Sequence, residues 1–205
     1  MSRDVLSAVK RAQIIAGAEA VFSVDGYERA SMTRIAAVAG VSKGTLYNHF
    51  TSKSDLLAAF MEEKIARTLS SVFDVPSVDK GTEDTLYEIG MQMIELMLAP
   101  GSRVLYRIAI SETGKFPHLA KLLWDGGPQK AVGYMARWLE AQVSAGRLRP
   151  MDADFAAEQF FALCQTRIVA RCRFELPTDT SPLAIERVIR AATRLFLAEY
   201  GPNPL

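Results

Sequence analysis

The chain has 205 residues, of which 49% are hydrophobic and 23% are charged. These are ordinary values for a globular protein, and they exclude a wholly disordered chain. The formal net charge is only +1, which excludes a protein that is polybasic along its whole length. The charge is uneven, because residues 1–53 contain seven Lys and Arg against four Asp and Glu. A small basic segment therefore precedes a slightly acidic remainder.

The two cysteines are too few for a disulfide scaffold. Cys164 and Cys172 lie in one predicted helix, where eight residues rise about 12 Å, too far for a disulfide between them. We expect both side chains to be buried and reduced. No apolar run is long enough to span a membrane, and the first residues lack the apolar core of a signal peptide. A cytoplasmic protein is expected, without a membrane partner.

The first predicted helix is amphipathic. Ile14, Ala18 and Phe22 recur at intervals of four residues, so their side chains lie on one helix face. The helix is expected to end at Asp25-Gly26, because Gly readily adopts the conformation that ends a helix.

Two short helices are predicted next, with Gly40 between them. Ser31 is expected to cap the first helix, which ends at Ala39. Ser42 is expected to cap the second, which ends near Phe50.

The rest of the sequence also has helical spacing and no clear strand-like alternation. Ser52 and Asp55 form a capping-box-like start for a helix over residues 53–72. A linker is predicted over 74–81, and further helices over 82–98, 102–113, 117–124, 128–145, 153–174 and 182–200. The sequence thus predicts an all-α protein of nine or ten helices.

Residues 31–50 have the pattern of a helix-turn-helix motif, in which the second helix enters the major groove of DNA. The apolar residues are spaced to bury one side of the motif: Ile35, Ala36, Ala39, Val41, Leu46 and Phe50. Of the outward residues, Lys43 suits a guanine, Thr45 suits a thymine methyl or a phosphate, and Gly44 allows close backbone approach. Lys53 begins the next helix, where N–H groups and a cation favour a phosphate.

A helical hairpin of this kind is often only structural. In that alternative, Tyr47 is a core side chain and His49 is a solvated helix cap. The order of residues over a longer segment favours the DNA-binding interpretation. Residues 11–57 closely resemble the N-terminal domain of TetR/AcrR-type transcriptional regulators. The matching features are Gly26-Tyr27, Met32 to Ala36, Ala39 to Ser42, Gly44 to Tyr47, His49-Phe50, and Lys53 with Leu56-Leu57.

This resemblance implies roles for individual residues. Phosphate contacts are implied for Thr33, Arg34, Tyr47, His49 and Lys53. Most base readout is implied for Ser42, Lys43, Gly44, Thr45 and Asn48. The family often has an aromatic residue where Asn48 stands, and Asn favours readout of adenine.

The remainder of the chain resembles the C-terminal domain of the AefR-like subgroup of this family. The features that carry this resemblance are Glu112, Phe116-Pro117, Gly146-x-Leu148 and Asp152. The family implies a DNA-binding domain over 1–55 and a ligand-binding and dimerisation domain over 56–205. It also implies a homodimer formed by the last two long helices. These helices have enough apolar residues for both the protein core and a dimer interface. The sequence does not show which of the two roles each candidate has: Phe160, Ile168, Ile185, Val188, Ile189, Ala192 and Phe196.

A cavity for a small effector is a further implication of the family. Met and aromatic side chains suit an adaptable pocket for mainly apolar ligands. The candidate lining residues are Phe60, Met91, Ile94, Met97, Arg107, Trp124, Met135, Phe161 and Cys164. Most such residues are plain core in other helical proteins. Arg107 and Glu112 form either a buried ion pair or a polar anchor for the ligand.

The sequence contains little that favours an enzyme. It has two histidines, and one of them, His49, belongs to the DNA-binding motif. We find no metal-ligand spacing, phosphate-binding Gly loop or nucleophile motif, so no catalytic residue, metal or cofactor is expected. The sequence predicts a homodimeric repressor that a small ligand releases from a palindromic operator in double-stranded DNA. The alternatives are an activator, and a dimeric protein-interaction adaptor with weak DNA binding.

Overall fold

The structure, a computed structural model, describes residues 3–72, 81–112, 114–115 and 117–202, with side chains for 5–64, 81–112, 114–115 and 117–202. The described residues form helices and turns without a β-strand, which confirms the all-α class. None of the described helices has the length and hydropathy needed to cross a membrane. The helices are α1 (Arg3–Arg29), α2 (Met32–Val38), α3 (Lys43–His49), α4 (Lys53–Val72), α5 (Thr82–Leu98), α6 (Pro100–Glu112), α7 (Pro117–Gly126), α8 (Pro128–Ser144), α9 (Ala153–Cys164), α10 (Val169–Arg173) and α11 (Pro182–Tyr200).

The chain divides into two compact units. Unit 1 contains Met1–Ala66 and Val104–Leu123, and unit 2 contains Arg67–Arg103 and Trp124–Leu205. The functional boundary predicted after residue 55 is a different division and stays a prediction. The predicted linker over 74–81 lies, apart from residue 81, outside the described residues.

The core of unit 1 forms around the apolar face of α1. Phe22 packs edge-on against Phe60 of α4, with ring centres 5.9 Å apart, and against Tyr27 at 5.7 Å. Leu46 of α3 and Phe50, which follows α3, are buried in the same unit. Gly26 has φ 73° and interrupts α1 where the sequence predicted the helix to end.

The core of unit 2 joins α5, α8, α9 and α11. Gly90 of α5 permits their close approach, because a Cβ there would lie 2.7 Å from Ile189 and 3.3 Å from the Cys164 sulfur. Phe160 and Phe196 pack edge to face, with ring centres 5.4 Å apart. All seven residues named from the sequence as core or dimer interface are buried here within one chain: Phe160, Ile168, Ile185, Val188, Ile189, Ala192 and Phe196.

The predicted single helix over 153–174 is wrong, because the segment contains two helices, α9 and α10. Between them Arg167 adopts φ 64°, in the left-handed region. A non-Gly residue there costs roughly 1–2 kcal/mol, so helix-ending glycine is the usual signal. The sequence has neither Gly nor Pro at this break, and periodicity therefore does not reveal it. Cys164 and Cys172 lie on separate helices, and both are free and buried.

Candidate nucleic-acid interface

The helix-turn-helix motif is capped as its sequence predicts. The Ser31 hydroxyl accepts a hydrogen bond from the Arg34 amide at 3.2 Å and begins α2. The Ser42 hydroxyl accepts from the Thr45 amide at 3.0 Å and begins α3. Each bond satisfies one of the amide groups that a helix start leaves unpaired. The two side-chain hydroxyls of Ser42 and Thr45 are also 2.8 Å apart, so this pair fixes the first turn of α3.

The turn between α2 and α3 is held from behind by α1. Gly40 has φ 64° and allows the sharp change of direction. The Gln13 amide nitrogen donates to the Ala39 carbonyl at 2.5 Å. Gly17 lies against the same residue, since a Cβ on Gly17 would be 2.7 Å from the Ala39 Cβ. Sequence reasoning missed both Gln13 and Gly17, because neither residue type on a helix indicates which element it contacts.

One face of α3 is left open to solvent. Lys43, Gly44, Tyr47 and Asn48 are exposed, while Leu46 on the opposite face is buried. The Tyr47 side chain is 52% exposed, so it is not the core residue of the structural alternative. Thr45 and His49 are half-buried at the edges of this face. A short helix with an exposed polar face and a capped N-terminus has the form needed to read base edges.

Two residues of α2 flank this surface. Thr33 and Arg34 are both exposed. The Arg34 guanidinium forms an ion pair with Asp25 at 2.9 Å. Arg has five N–H donors, so this pair leaves donors for a phosphate while holding the side chain in one orientation.

Lys53, at the first position of α4, contacts the end of α1, and the phosphate contact implied for it stays a prediction. Its ammonium group donates to the carbonyl oxygens of Tyr27, Glu28 and Ala30 at 2.8, 3.0 and 3.0 Å. A Lys ammonium has three donors, and here all three are used. The α4 start itself is capped by Ser52, whose hydroxyl accepts from the Asp55 amide at 3.0 Å.

The end of α1 also receives cations from the segment 104–123. Arg107 donates to the Ser23 carbonyl at 3.3 Å, and Lys115 forms an ion pair with Glu28. The hydrogen bond and charge of Lys115 lower the pKa of the Glu28 carboxyl. The same bond and the Glu28 charge raise the pKa of Lys115.

Glu112 is the buried acid of this region. Its Oε1 accepts a hydrogen bond from the Ser111 hydroxyl at 3.1 Å, whereas its Oε2 has no hydrogen-bond partner. Burial, and then the charge of Glu112, raise the pKa of Tyr27. Arg107 is exposed, so the buried Arg–acid pair offered as one alternative is wrong.

The predicted pocket residues fall into several surroundings. Phe60 is in the core of unit 1, and Ile94, Met135, Phe161 and Cys164 are buried in unit 2, with Met91 and Met97 half-buried against its core. Trp124 is 57% exposed. A groove of about 350 Å³ in unit 2 contains none of these nine side chains and is lined by Glu95, Leu98, Ala99, Arg103, Cys172, Thr180 and Ile185. The effector pocket stays a prediction.

Two sequence profiles match this chain in tandem. Residues 14–60 match bacterial regulatory proteins of the tetR family. Residues 84–202 match the C-terminal domain of AefR-like transcriptional repressors, which is more than half of the chain. The chain belongs to the TetR family. Within this TetR-family chain, the first match contains α2, α3 and the exposed face described above.

Solved structures of regulators share the whole fold. A TetR-family regulator from Mesorhizobium loti MAFF303099 is 26% identical, with a TM-score of 0.88 over 98% of this chain and 100% of that chain. The flavonoid-responsive regulator FrrA is 30% identical, with a TM-score of 0.81 over 96% of this chain and 100% of that chain. Both likenesses extend through the predicted DNA-binding and effector-binding domains.

Curated relatives match over a shorter segment. The transcriptional activator FasR of Mycolicibacterium smegmatis is 41% identical over 63 residues, which are 31% of this chain and 29% of FasR. The matched segments span between 29% and 40% of the length of the first curated relatives. The known activities of those whole proteins therefore come to this chain only as proposals.

Proposed function

We propose that this protein is a homodimeric transcriptional repressor that a small, mainly apolar ligand releases from a palindromic operator. The observation that carries the proposal is the exposed face of α3. Ser42 caps the start of this helix, and Gln13 of α1 donates to the turn before it. Two such helices related by two-fold symmetry enter successive major grooves, with half-sites roughly 10 base pairs apart or a multiple of that spacing.

The DNA contacts divide into two sets. Thr33, Arg34, Tyr47 and His49 surround the helix and contact phosphates, which positions the protein. Ser42, Lys43, Gly44, Thr45 and Asn48 face the base edges and supply specificity. Lys43 donates to guanine and Asn48 pairs with adenine, the geometries that these side chains favour. Lys53 contributes through the amide groups at the start of α4, because its ammonium is engaged by carbonyls of α1.

The dimer forms through α9 and α11. Regulators of this family dimerise through their last long helices, and the large exposed apolar side chains there are Phe155, Leu183 and Leu195. The buried residues first named for the interface support these helices from inside the chain. On each of these helices, the buried residues pack in the core of the chain, and the exposed apolar side chains are free to contact the partner subunit.

Ligand control is supported by the match to the AefR-like domain and by the likeness to FrrA, a regulator described as flavonoid-responsive. A ligand releases DNA if it binds better to a dimer whose reading helices are wrongly spaced. The coupling required is a difference of about 1–3 kcal/mol or more between the two states. FasR, described as an activator, supports a variant in which the same DNA contacts raise transcription.

The first test is binding to the DNA around the protein's own gene, compared with scrambled DNA, by fluorescence anisotropy at physiological salt. Specific binding is expected to be roughly a thousandfold or more tighter than non-specific binding. Lys43→Ala should reduce the preference, while Lys130→Ala, which removes the same charge from an exposed position of α8, should not. A reporter gene behind the bound site then separates repressor from activator. If the protein enriches no sequence from a pool of random DNA, the alternative function as a protein-interaction adaptor is favoured.

A further inference from the structure

The start of α1 extends from unit 1 without a buried face. Residues 5–12 are all exposed, whereas burial begins at Ile14 and Ile15. This leading segment lies outside the match to the DNA-binding profile, which begins at residue 14. It carries Lys10 and Arg11, two adjacent cations.

The Arg11 side chain lies beside the C-terminal end of α3. Its guanidinium carbon lies 5.3 Å from the centre of the Phe50 ring, and Phe50 is the C-cap residue that follows α3. The His49 ring is centred 6.4 Å from the same ring. An arginine over an aromatic face is attracted to the ring and keeps its charge. Arg11 and His49, which the family resemblance implies to be a phosphate contact, therefore contact the same ring at the end of α3.

Most other cations of this region have a partner within the chain, although Arg34 keeps further donors for a phosphate. Arg34 pairs with Asp25, Lys64 pairs with Glu19, and Lys53 donates to three carbonyls. Lys10 donates to the Gln13 side chain and Arg29 to the Asp25 carbonyl. Among the side chains described over residues 5–64, Lys43 and Arg11 are the cations without an ion-pair or hydrogen-bond partner in the described part of the chain.

We propose that Arg11 contacts a DNA phosphate and extends the DNA interface from α3 to the start of α1. The inference rests on the proposed function and adds a residue to it. A guanidinium presents a fork of N–H donors that matches phosphate oxygens. The stacking on Phe50 holds this fork next to the end of α3 before DNA binds. A contact of this type is independent of sequence, so it strengthens binding to every DNA alike.

The test measures how the affinity for DNA depends on salt. Each phosphate contact contributes about 0.9 to the slope of log affinity against log salt concentration. Arg11→Met keeps an aliphatic side chain on Phe50 and removes the charge, so the slope should fall by about 0.9. Between 50 and 200 mM salt, the variant should then lose roughly three- to fourfold less affinity than the wild type. Arg11→Lys should retain the slope, and Lys130→Ala is the control for loss of one positive charge.

The outcomes separate three cases. Equal weakening of specific and scrambled DNA by Arg11→Met, with a reduced slope and an unchanged melting temperature, supports the contact. An unchanged slope overturns the proposed contact. If the melting temperature falls while the slope is unchanged, Arg11 is only a packing residue for Phe50. A wild-type protein that binds no DNA overturns both this inference and the proposed function, whereas wild-type binding with an unaltered Arg11→Met slope overturns this inference alone.

Discussion

The ammonium group of Lys53 lies 4.4 Å from the centre of the Tyr27 ring and donates to the Tyr27 carbonyl at 2.8 Å. This contact joins the first residue of α4 to the end of α1, at carbonyls that follow the break at Gly26. Carbonyl groups at a helix end have no partner within the helix, and a cation there also interacts favourably with the helix dipole. Lys53 thus closes the bundle that supports α3.

Lys53→Met should lower the free energy of unfolding and leave the salt dependence of DNA binding unchanged. A hydrogen bond from a charged group contributes about 1.5–3 kcal/mol, so we expect a loss of that order by denaturant unfolding. Lys130→Met is the matched control and should be close to neutral. A fall of about 0.9 in the salt slope would instead restore the phosphate contact that the family resemblance implies.

Asn48→Ala should relax specificity at one position of the operator half-site. The Asn48 side chain is exposed on α3, and a bidentate Asn–adenine pair discriminates by about 1–3 kcal/mol. Binding to operators permuted one base pair at a time should show adenine losing its advantage at a single position. Equal weakening on all permuted operators would make Asn48 a backbone contact.

Gly17→Ala should destabilise unit 1 by about 1–3 kcal/mol, the usual cost of overpacking. The new methyl would meet the Ala39 Cβ at 2.7 Å and its backbone nitrogen at 3.0 Å, so the turn before α3 must shift. DNA affinity should fall as well. Gly133→Ala in α8 is the control, because its Cβ would meet only the end of Arg137 at 3.7 Å. That substitution should stabilise the helix by about 0.5–1 kcal/mol; stabilisation by Gly17→Ala too would show that α1 and the turn are not closely packed.

Leu195→Glu and Phe196→Glu should have opposite consequences although the residues are adjacent in α11. Leu195 is 58% exposed, whereas Phe196 is 2% exposed. Leu195→Glu should give a folded monomer, because it places a charge on the proposed interface. Phe196→Glu should unfold the chain, because a buried unpaired charge is strongly destabilising. Light scattering and circular dichroism measure the two effects, and a dimeric Leu195→Glu protein would place the interface elsewhere.

Cys164 should resist alkylation as long as the protein is folded. Burial raises the pKa of its thiol to about 12, and the thiolate is the reactive form. At pH 8 the thiolate is then roughly one part in ten thousand, against roughly a quarter for an ordinary cysteine. Iodoacetamide labelling followed by mass spectrometry should modify Cys164 only on unfolding. Rapid labelling in the native protein would mean that α9 opens from α5 and α11.

The elements that could be predicted from the sequence are those with local signals. Ser31 and Ser42 are followed at once by helices and proved to be caps, since capping depends on residues three positions apart. The break at Arg167 has no such signal, because a non-Gly residue there is held in the left-handed region. Its conformation is set by packing rather than by the identity of the residue.

The candidate site follows the same division. The exposed positions of α3 could be predicted from helical spacing, because Leu46 and Phe50 mark the buried side. The contact from Gln13 to Ala39 joins residues 26 positions apart, and nothing in either residue type indicates it. The helix position and the resemblance both predict a phosphate contact for Lys53. Neither predicts its three carbonyl partners, because the orientation of a long flexible side chain depends on the groups that the fold places around it.

The seven residues of α3 are too few for a helix that is stable in isolation. The DNA-reading surface proposed for it therefore depends on the packing of α1 against the turn before α3. A ligand that binds the folded state alone raises stability by mass action, so operator DNA should raise the melting temperature of unit 1 in proportion to the logarithm of its concentration. Heating alone, without any effector, would then dissociate the protein from the operator at the temperature where α1 separates from the turn.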